Sequence, residues 1–242
     1  MVKGRHDLVK KVIIVTDSLG GPRYAEENIF YEDTWVFKII NFFKPFKDIE
    51  FYPMVVYGLD SRQLLEKAKT ELPLYKPDFV ILQFGIVDCA PRALKEKEIK
   101  FFTFLKLSGI VQKLASKYHN ILTTIRKIER VKIREFKYNV KIIFDILRNN
   151  NAKVIVIPIA PPCIGFIKHS PRVKDNIIKY NKVLEENADY FLVNAYKDFD
   201  PEECFLKDLH HLNRKGHSIL FENIKNDLLV ILTRDFIGDK IA

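Results

Sequence analysis

Lys11-Val12-Ile13-Ile14-Val15-Thr16-Asp17-Ser18-Leu19-Gly20 is the stretch on which the fold turns. Four β-branched aliphatic residues stand in a row, where a strand with one wet face would alternate apolar and polar side chains. A continuous apolar run implies cover on both faces, which is the condition of a parallel sheet. Working outward, Phe51 to Gly58, Asp78 to Gly85 and Lys153 to Ala160 have the same character, and Asp189 to Tyr196 is a weaker fifth run. Helical spacing separates them, over about Thr34 to Phe43, Ser61 to Leu72, Lys137 to Asn149, Pro171 to Asn187 and Asn213 to Thr233. Alternating strand and helix predicts right-handed crossovers and an α/β fold of three layers, with a parallel sheet of about five strands. Ligands are expected beyond the carboxyl ends of those strands.

The chain has 242 residues, 48% of them hydrophobic, with 19 Phe and 10 Tyr, which is enough apolar surface for one packed core and argues against disorder. A single domain over 1–242 is expected. The longest uncharged run in mid-chain, Val154 to Ile167, holds three prolines in 14 residues and is too short and too broken to span a bilayer. The basic N-terminus leads only into Val12 to Val15 and lacks a small-residue cleavage site, so a buried first strand explains it better than a signal peptide. Cys89, Cys163 and Cys204 are odd in number and widely spaced, which signals neither a disulfide framework nor a zinc site and fits a reducing, cytoplasmic setting.

The formal charge of +9 and pI near 9.3 favour anionic partners without choosing among them. Much of the charge lies in residues 93–135, a span longer than a crossover needs, with 11 Lys or Arg against 4 Asp or Glu, a net of +7. This reads as an inserted helical cap of two helices broken near Ser108 and Gly109. A solvated basic face is the expected role, since charged helix faces are common, and peripheral membrane contact is the alternative. No nucleic-acid motif accompanies the charge, so a nucleic-acid partner is not expected.

Ser18 follows the first strand directly and sits where a nucleophile would stand, although Asp, Ser and Gly are also ordinary turn residues. Near the other end lies Asp208-Leu209-His210-His211-Leu212-Asn213, followed by Gly216-His217. A carboxylate three residues before a histidine can hold one ring nitrogen and leave the other to take a proton from a hydroxyl. The competing readings of the paired histidines are metal ligation and helix entry with Asn213 as cap. The remaining histidines His6, His119 and His169 supply no matching ligand motif, so no metal is expected. His217 falls inside the last helix and reads as structural.

The order of a DSLG block after the first strand, a lone Gly58 after the second, Gly85-Ile86-Val87-Asp88 after the third, and DLHHLNRKGH near the end resembles the SGNH (GDSL-type) hydrolases from Val12 to about His217. The resemblance implies a flavodoxin-like sheet and esterase or acyltransferase chemistry on O-acyl, often O-acetyl, groups of carbohydrates, with no cofactor. It also implies roles: Ser18 as nucleophile, His211 as base, Asp208 as orienting carboxylate, and the Ser18 and Gly58 backbone as oxyanion hole. The third block departs from the family's Gly-x-Asn-Asp, because Val87 cannot donate the amide hydrogen bond. The phrase QFGIVDCAPR is similar to a divergent subgroup associated with surface-glycan biosynthesis. Arg23 and Arg92, each after a proline at the same sheet edge, have forked donors suited to an anionic glycan ester, and Asp88 stands beside them as a third substrate-binding candidate. A non-catalytic or weakly catalytic ligand-binding protein of the same fold is the competing expectation, favoured by the missing amide.

Overall fold

The first strand, β1 (Lys10–Thr16), lies inside a five-stranded sheet between β2 (Ile49–Val55) and β3 (Phe79–Gln83), followed outward by β4 (Lys153–Val156) and β5 (Tyr190–Phe191). Every pairing is parallel. The structure is a computed structural model that describes residues 9–25 and 27–238, with backbone alone for 234–238; His6 and the basic segment preceding Val9 lie outside it. Val12 to Val15 and Phe79 to Leu82 are fully buried, as continuous apolar runs covered on two faces must be. β2 is an edge, and it carries Pro53, which lacks the N–H a central strand needs.

The chain steps from β1 to its left neighbour β2, then back across to β3, β4 and β5. With right-handed crossovers this reversal puts α1 (Trp35–Phe43) on one face and α2 (Ser61–Thr70), α7 (Ile133–Asn149) and α9 (Val173–Asn187) on the other. Helix packing agrees: α1 and the short α10 (Pro201–Cys204) lie against the last helix, α11 (Arg214–Gly238), while α2 packs on α7, and α7 and the short α8 (Ile164–His169) pack on α9. Local capping sets the starts: Thr34 accepts from Phe37 N–H at 3.2 Å, and Asp60 from Arg62 and Gln63 N–H at 3.0 Å each.

All five strands end two to five residues before the apolar runs do. Beyond Val156 the neighbouring strand has turned away, so the α9 side chain Asn181 serves the Ile159 backbone instead, accepting its N–H at 2.8 Å and donating to its carbonyl at 3.0 Å. Phe84, Ile157, Ile159 and Ala160 remain buried although they are no longer strand. They form an apolar floor under the loops at the carboxyl edge. A reading of hydrophobicity alone merges that floor with the strands.

Between β3 and α7 the chain forms a short α3 (Ile86–Cys89), then three helices rather than the two expected: α4 (Glu96–Phe104), α5 (Ser108–Lys117) and α6 (His119–Arg126). The first break falls at Leu105 to Leu107, where Lys106 takes φ 59°, and Ser108 and Gly109 open α5 instead of interrupting a helix. A second break lies at Tyr118. The insertion is closed at its base by an antiparallel ribbon pairing Pro91–Arg92 with Ile128–Glu129, and by Arg126, which donates to the Ala93 carbonyl at 2.7 Å and pairs with Glu98.

Candidate active site

Ser18 is positioned by the residue before it. The Asp17 carboxylate accepts from Leu19 N–H at 2.9 Å and folds the chain leaving β1 into a single tight turn over Ser18–Gly20. Gly20 is required by this turn: a Cβ there would stand 2.3 Å from the Thr16 side chain. Asp17 is buried, which raises its carboxyl to about 7 against the lowering effect of the Leu19 hydrogen bond. Behind the strand, Gln83 accepts from Thr16 Oγ1 at 2.9 Å and Trp35 Nε1 at 3.1 Å and donates to the Tyr196 hydroxyl at 3.0 Å, so the platform under the serine is fixed.

The second half of the site is a loop closed on itself. Leu206 N–H donates to the His211 carbonyl at 2.7 Å, Phe205 bridges Leu212, and Leu209 turns the chain at φ 74°. Asn213 caps α11, accepting from Gly216 N–H at 3.0 Å. Inside this loop Asp208 Oδ1 accepts from His210 and His211 N–H at 3.2 and 3.0 Å, and its Oδ2 accepts from His211 Nδ1 at 2.5 Å. With Nδ1 protonated, Nε2 carries the lone pair, and Ser18 Oγ lies 2.8 Å from it. Burial alone would raise the Asp208 carboxyl, but the hydrogen bonds from the His211 ring and backbone outweigh it and hold the group well below its usual range. His211 is lowered, first by burial and then by the charges of His210 and Arg23, against the raising effect of Asp208. The base is therefore neutral at pH 7 and able to accept a proton.

These residues open onto a cavity of about 540 Å³ lined on its catalytic side by Ser18, Gly58, Val87, Asp208 and His211. The Ser18 and Gly58 N–H groups donate to nothing else among the described residues, and Gly58 adopts φ 74°, a backbone conformation open to glycine and strained for most side chains. Asp208, His210 and His211 are the one group of acidic, histidine or cysteine side chains with metal-ligand spacing among the described residues. Both His211 nitrogens already face Asp208 and Ser18, whereas His210 donates its Nδ1–H to the Asp208 carbonyl at 2.8 Å and keeps the lone pair on Nε2.

No protein-family model matches the sequence, and no curated protein is similar to it in sequence. Solved structures match it in fold. TesA superposes with a TM-score of 0.61 over 90% of this chain and 98% of its own, at 15% identity. The psychrotrophic esterase EstA from Pseudoalteromonas sp. gives 0.62 over 93% and 100% at 14% identity. A variant of Axe2, an acetyl xylan esterase from Geobacillus stearothermophilus, gives 0.59 over 90% and 94% at 15% identity. The chain has the SGNH hydrolase fold. At these identities the likeness establishes that fold, and activity has to be argued from the site itself.

In the third block Val87 departs from the SGNH pattern, and Asp88, which fits the pattern, departs from the role expected of it. Val87 lines the cavity beside Ser18 and Gly58, so an apolar side chain occupies the wall where an amide donor is expected. Asp88, named above among the substrate-binding candidates, is fully buried and turned away from the cavity: it accepts from Ser61 N–H at 2.9 and 3.2 Å and anchors the start of α2. Burial raises its carboxyl to about 7, opposed by the Ser61 hydrogen bonds. Its role is scaffold, and a carboxylate beside the GxxD glycine gives no sequence sign of which way it points.

The two arginines part company. Arg23 is half-buried, its guanidinium 5.5 Å from the Tyr57 ring centre and in contact with His211 Nε2, with Nε buried and unpaired. Arg92 lies farther out on the ribbon, exposed, where it lines the same cavity with Arg130. Tyr57, Arg130 and the stacked pair His119 and His169, whose rings lie 3.9 Å apart at 9°, also line it and were not singled out from sequence. Only Tyr57 carried a local signal, as the neighbour of Gly58. His217 is buried, and its Nδ1 accepts from Trp35 N–H at 3.3 Å, which ties α11 to the start of α1.

Proposed function

We propose that the protein is a serine esterase, or an acyltransferase working by the same first step, that removes small acyl groups from a glycan or glycolipid. The observation that carries the reading is the linear relay from Ser18 Oγ through His211 to Asp208, at 2.8 and 2.5 Å. Ser18 Oγ attacks the acyl carbonyl while its proton passes to His211 Nε2, and Asp208 stabilises the resulting imidazolium. The carbonyl electron pair moves onto oxygen, opposite the Ser18 and Gly58 N–H groups. Collapse breaks the bond to the sugar oxygen, which takes the proton from His211 and leaves an acyl ester on Ser18. Water, or a second hydroxyl in transfer, then attacks this ester, giving its proton to His211; collapse breaks the acyl–Ser18 bond, and Ser18 Oγ takes that proton back as the acid or the new ester leaves.

Two features point to the substrate class. Asp17 and Leu19, the residues on either side of Ser18, line with Phe84, Pro161, Phe166 and His210 a narrow apolar recess of about 10 Å³, room for roughly one water-sized group; a recess this small next to the Ser18 turn favours a short acyl group such as acetyl. The main cavity presents Arg23, Arg92 and Arg130 against Asp208 as the acidic wall residue, which favours an anionic ester. Arg23 sharpens this preference, because its charge opposes the imidazolium that His211 must become. An anion drawn between them relieves that opposition.

A weakly catalytic binding protein is the second reading, supported by Val87, since one missing oxyanion donor costs on the order of a hundredfold or more. The test is hydrolysis of p-nitrophenyl acetate and octanoate, and of acetylated glucose against acetylated glucuronate. Turnover abolished by Ser18→Ala, with acetyl above octanoyl and the uronate above the neutral sugar, is the expected pattern. Tight binding of the acetylated uronate without turnover would favour the second reading.

A further inference from the structure

Helices α4, α5 and α6 invert the usual arrangement of an amphipathic helix. Each carries an apolar stripe at three- and four-residue spacing, and each stripe lies in solvent: Phe101, Phe104 and Leu105 along α4 and its end, Leu107, Ile110 and Leu114 along α5, and Tyr118, Ile121 and Ile125 along α6. Phe104 is 83% exposed and Ile125 is 71% exposed. The buried residues of the three helices are Ala115 and Thr123, so the core holds them by their small side chains. Half of all exposed large apolar residues among those described fall in this insertion, which a scatter of surface hydrophobics would not produce.

The charges there are sorted as well. Glu96 pairs with Arg130 at 3.1 Å and Arg62 at 3.5 Å, and Glu98 pairs with Arg126. The seven lysines from Lys95 to Lys127 are all exposed, and none forms a salt bridge among the described residues; Lys95 lies beside Glu98, whose carboxylate accepts its N–H at 2.9 Å and pairs with Arg126. Uncompensated lysines among exposed aromatic and aliphatic side chains describe an interfacial helix, whose apolar side chains enter the acyl boundary while its cations meet headgroups. Protein interfaces are depleted in lysine at their cores, which argues against a protein partner.

We propose that the face formed by α4 to α6 docks on a bilayer rich in anionic lipid. This goes beyond the esterase reading and does not depend on it. The ribbon residue Arg92 and His119, the first residue of α6, both line the cavity, so docking brings the cavity mouth to headgroup level. A substrate anchored in the membrane then reaches Ser18 without leaving it.

Sedimentation of the full chain with phosphatidylcholine vesicles, with and without phosphatidylglycerol, tests this. Binding to the mixed vesicles should exceed binding to phosphatidylcholine alone by at least about tenfold and fall with salt. Phe104→Asp/Ile110→Asp/Ile125→Asp should bind at least about tenfold more weakly, and each of Lys97→Gln, Lys106→Gln and Lys113→Gln should cost roughly fivefold. Because all six residues are exposed and outside the cavity, thermal unfolding and hydrolysis of soluble p-nitrophenyl acetate should not change. Ser18→Ala should sediment like the wild type, which keeps a failed esterase assay separate from this result. The proposal is overturned by equal binding to both vesicles, by wild-type binding of the triple Asp variant, or by a wild-type dimer that ignores vesicles and that the triple Asp variant abolishes.

Discussion

The catalytic edge and the insertion use polar groups in opposite ways. Around Ser18 and His211 nearly every buried polar atom has a partner, from the Asp17 cap through the Gln83 hub to the three hydrogen bonds on Asp208. Over α4 to α6 the apolar stripes face outward, and the lysines form no salt bridge among the described residues. A buried site must satisfy its polar groups internally, because an unpaired one costs about 1–3 kcal/mol. The proposed bilayer would cover the apolar groups that this surface leaves in water. The exceptions at the catalytic edge are themselves informative: among the described residues the Ser18 and Gly58 N–H groups are free donors beside the cavity, and Arg23 Nε is a buried one next to His211.

The largest effect expected from breaking the ordered half is that of Asp208→Asn. It keeps the shape of the loop but loses the charge that selects the His211 tautomer, and kcat should fall by roughly a thousandfold or more with little change in KM, measured on p-nitrophenyl acetate. The next effect separates the two routes to an oxyanion donor. If backbone donors act alone, Val87→Asn should raise turnover by tens- to a hundredfold, and if Arg23 supplies the third donor, Arg23→Gln should lower it similarly while Val87→Asn changes little. Arg92→Ala, at the outer wall, should act on KM for anionic esters and leave kcat for neutral ones.

The cluster of Ser18, His211 and Asp208 was legible because each member sits in a contiguous motif that sets its local geometry. DSLG makes the turn that presents Ser18, and DLHH makes the loop that points His211 Nδ1 at Asp208. Arg130, His119 and His169 had no such signal, since the ribbon and the insertion bring them to the cavity from distant positions. Asp88 was misassigned for a related reason: a carboxylate in a motif reads as available, and its burial against Ser61 is visible only once α2 is packed. The insertion was legible as a basic helical span but not in its number of helices. Its net charge predicted a solvated face, but solvation of the lysines says nothing about the Phe and Ile side chains between them. The stripes became visible when three short helices replaced the two expected.

Smaller effects concern pH. Because His211 is held below its ordinary 6.5, the acid limb of kcat/KM should lie below that value and approach a plateau by pH 7. Arg23→Gln removes one of the charges that lower it, so the limb should move toward higher pH in that variant. Stability has the opposite slope at the buried carboxyls. Asp88 is raised to about 7 in the fold, so the stability it confers is full below an unfolded value near 3.8 and is lost as pH rises through 7. Asp88→Asn, which can still accept from Ser61 N–H, should flatten the decline in melting temperature between pH 4 and 7.

The central claim is that Ser18 is a nucleophile activated by His211, and labelling by a fluorophosphonate followed by peptide mass spectrometry reads it directly. The wild-type protein should carry one adduct, on the peptide containing Ser18, with labelling abolished in Ser18→Ala and slowed by orders of magnitude in His211→Ala. Labelling of Ser18→Ala at the wild-type rate, or an adduct on any other residue, would contradict it.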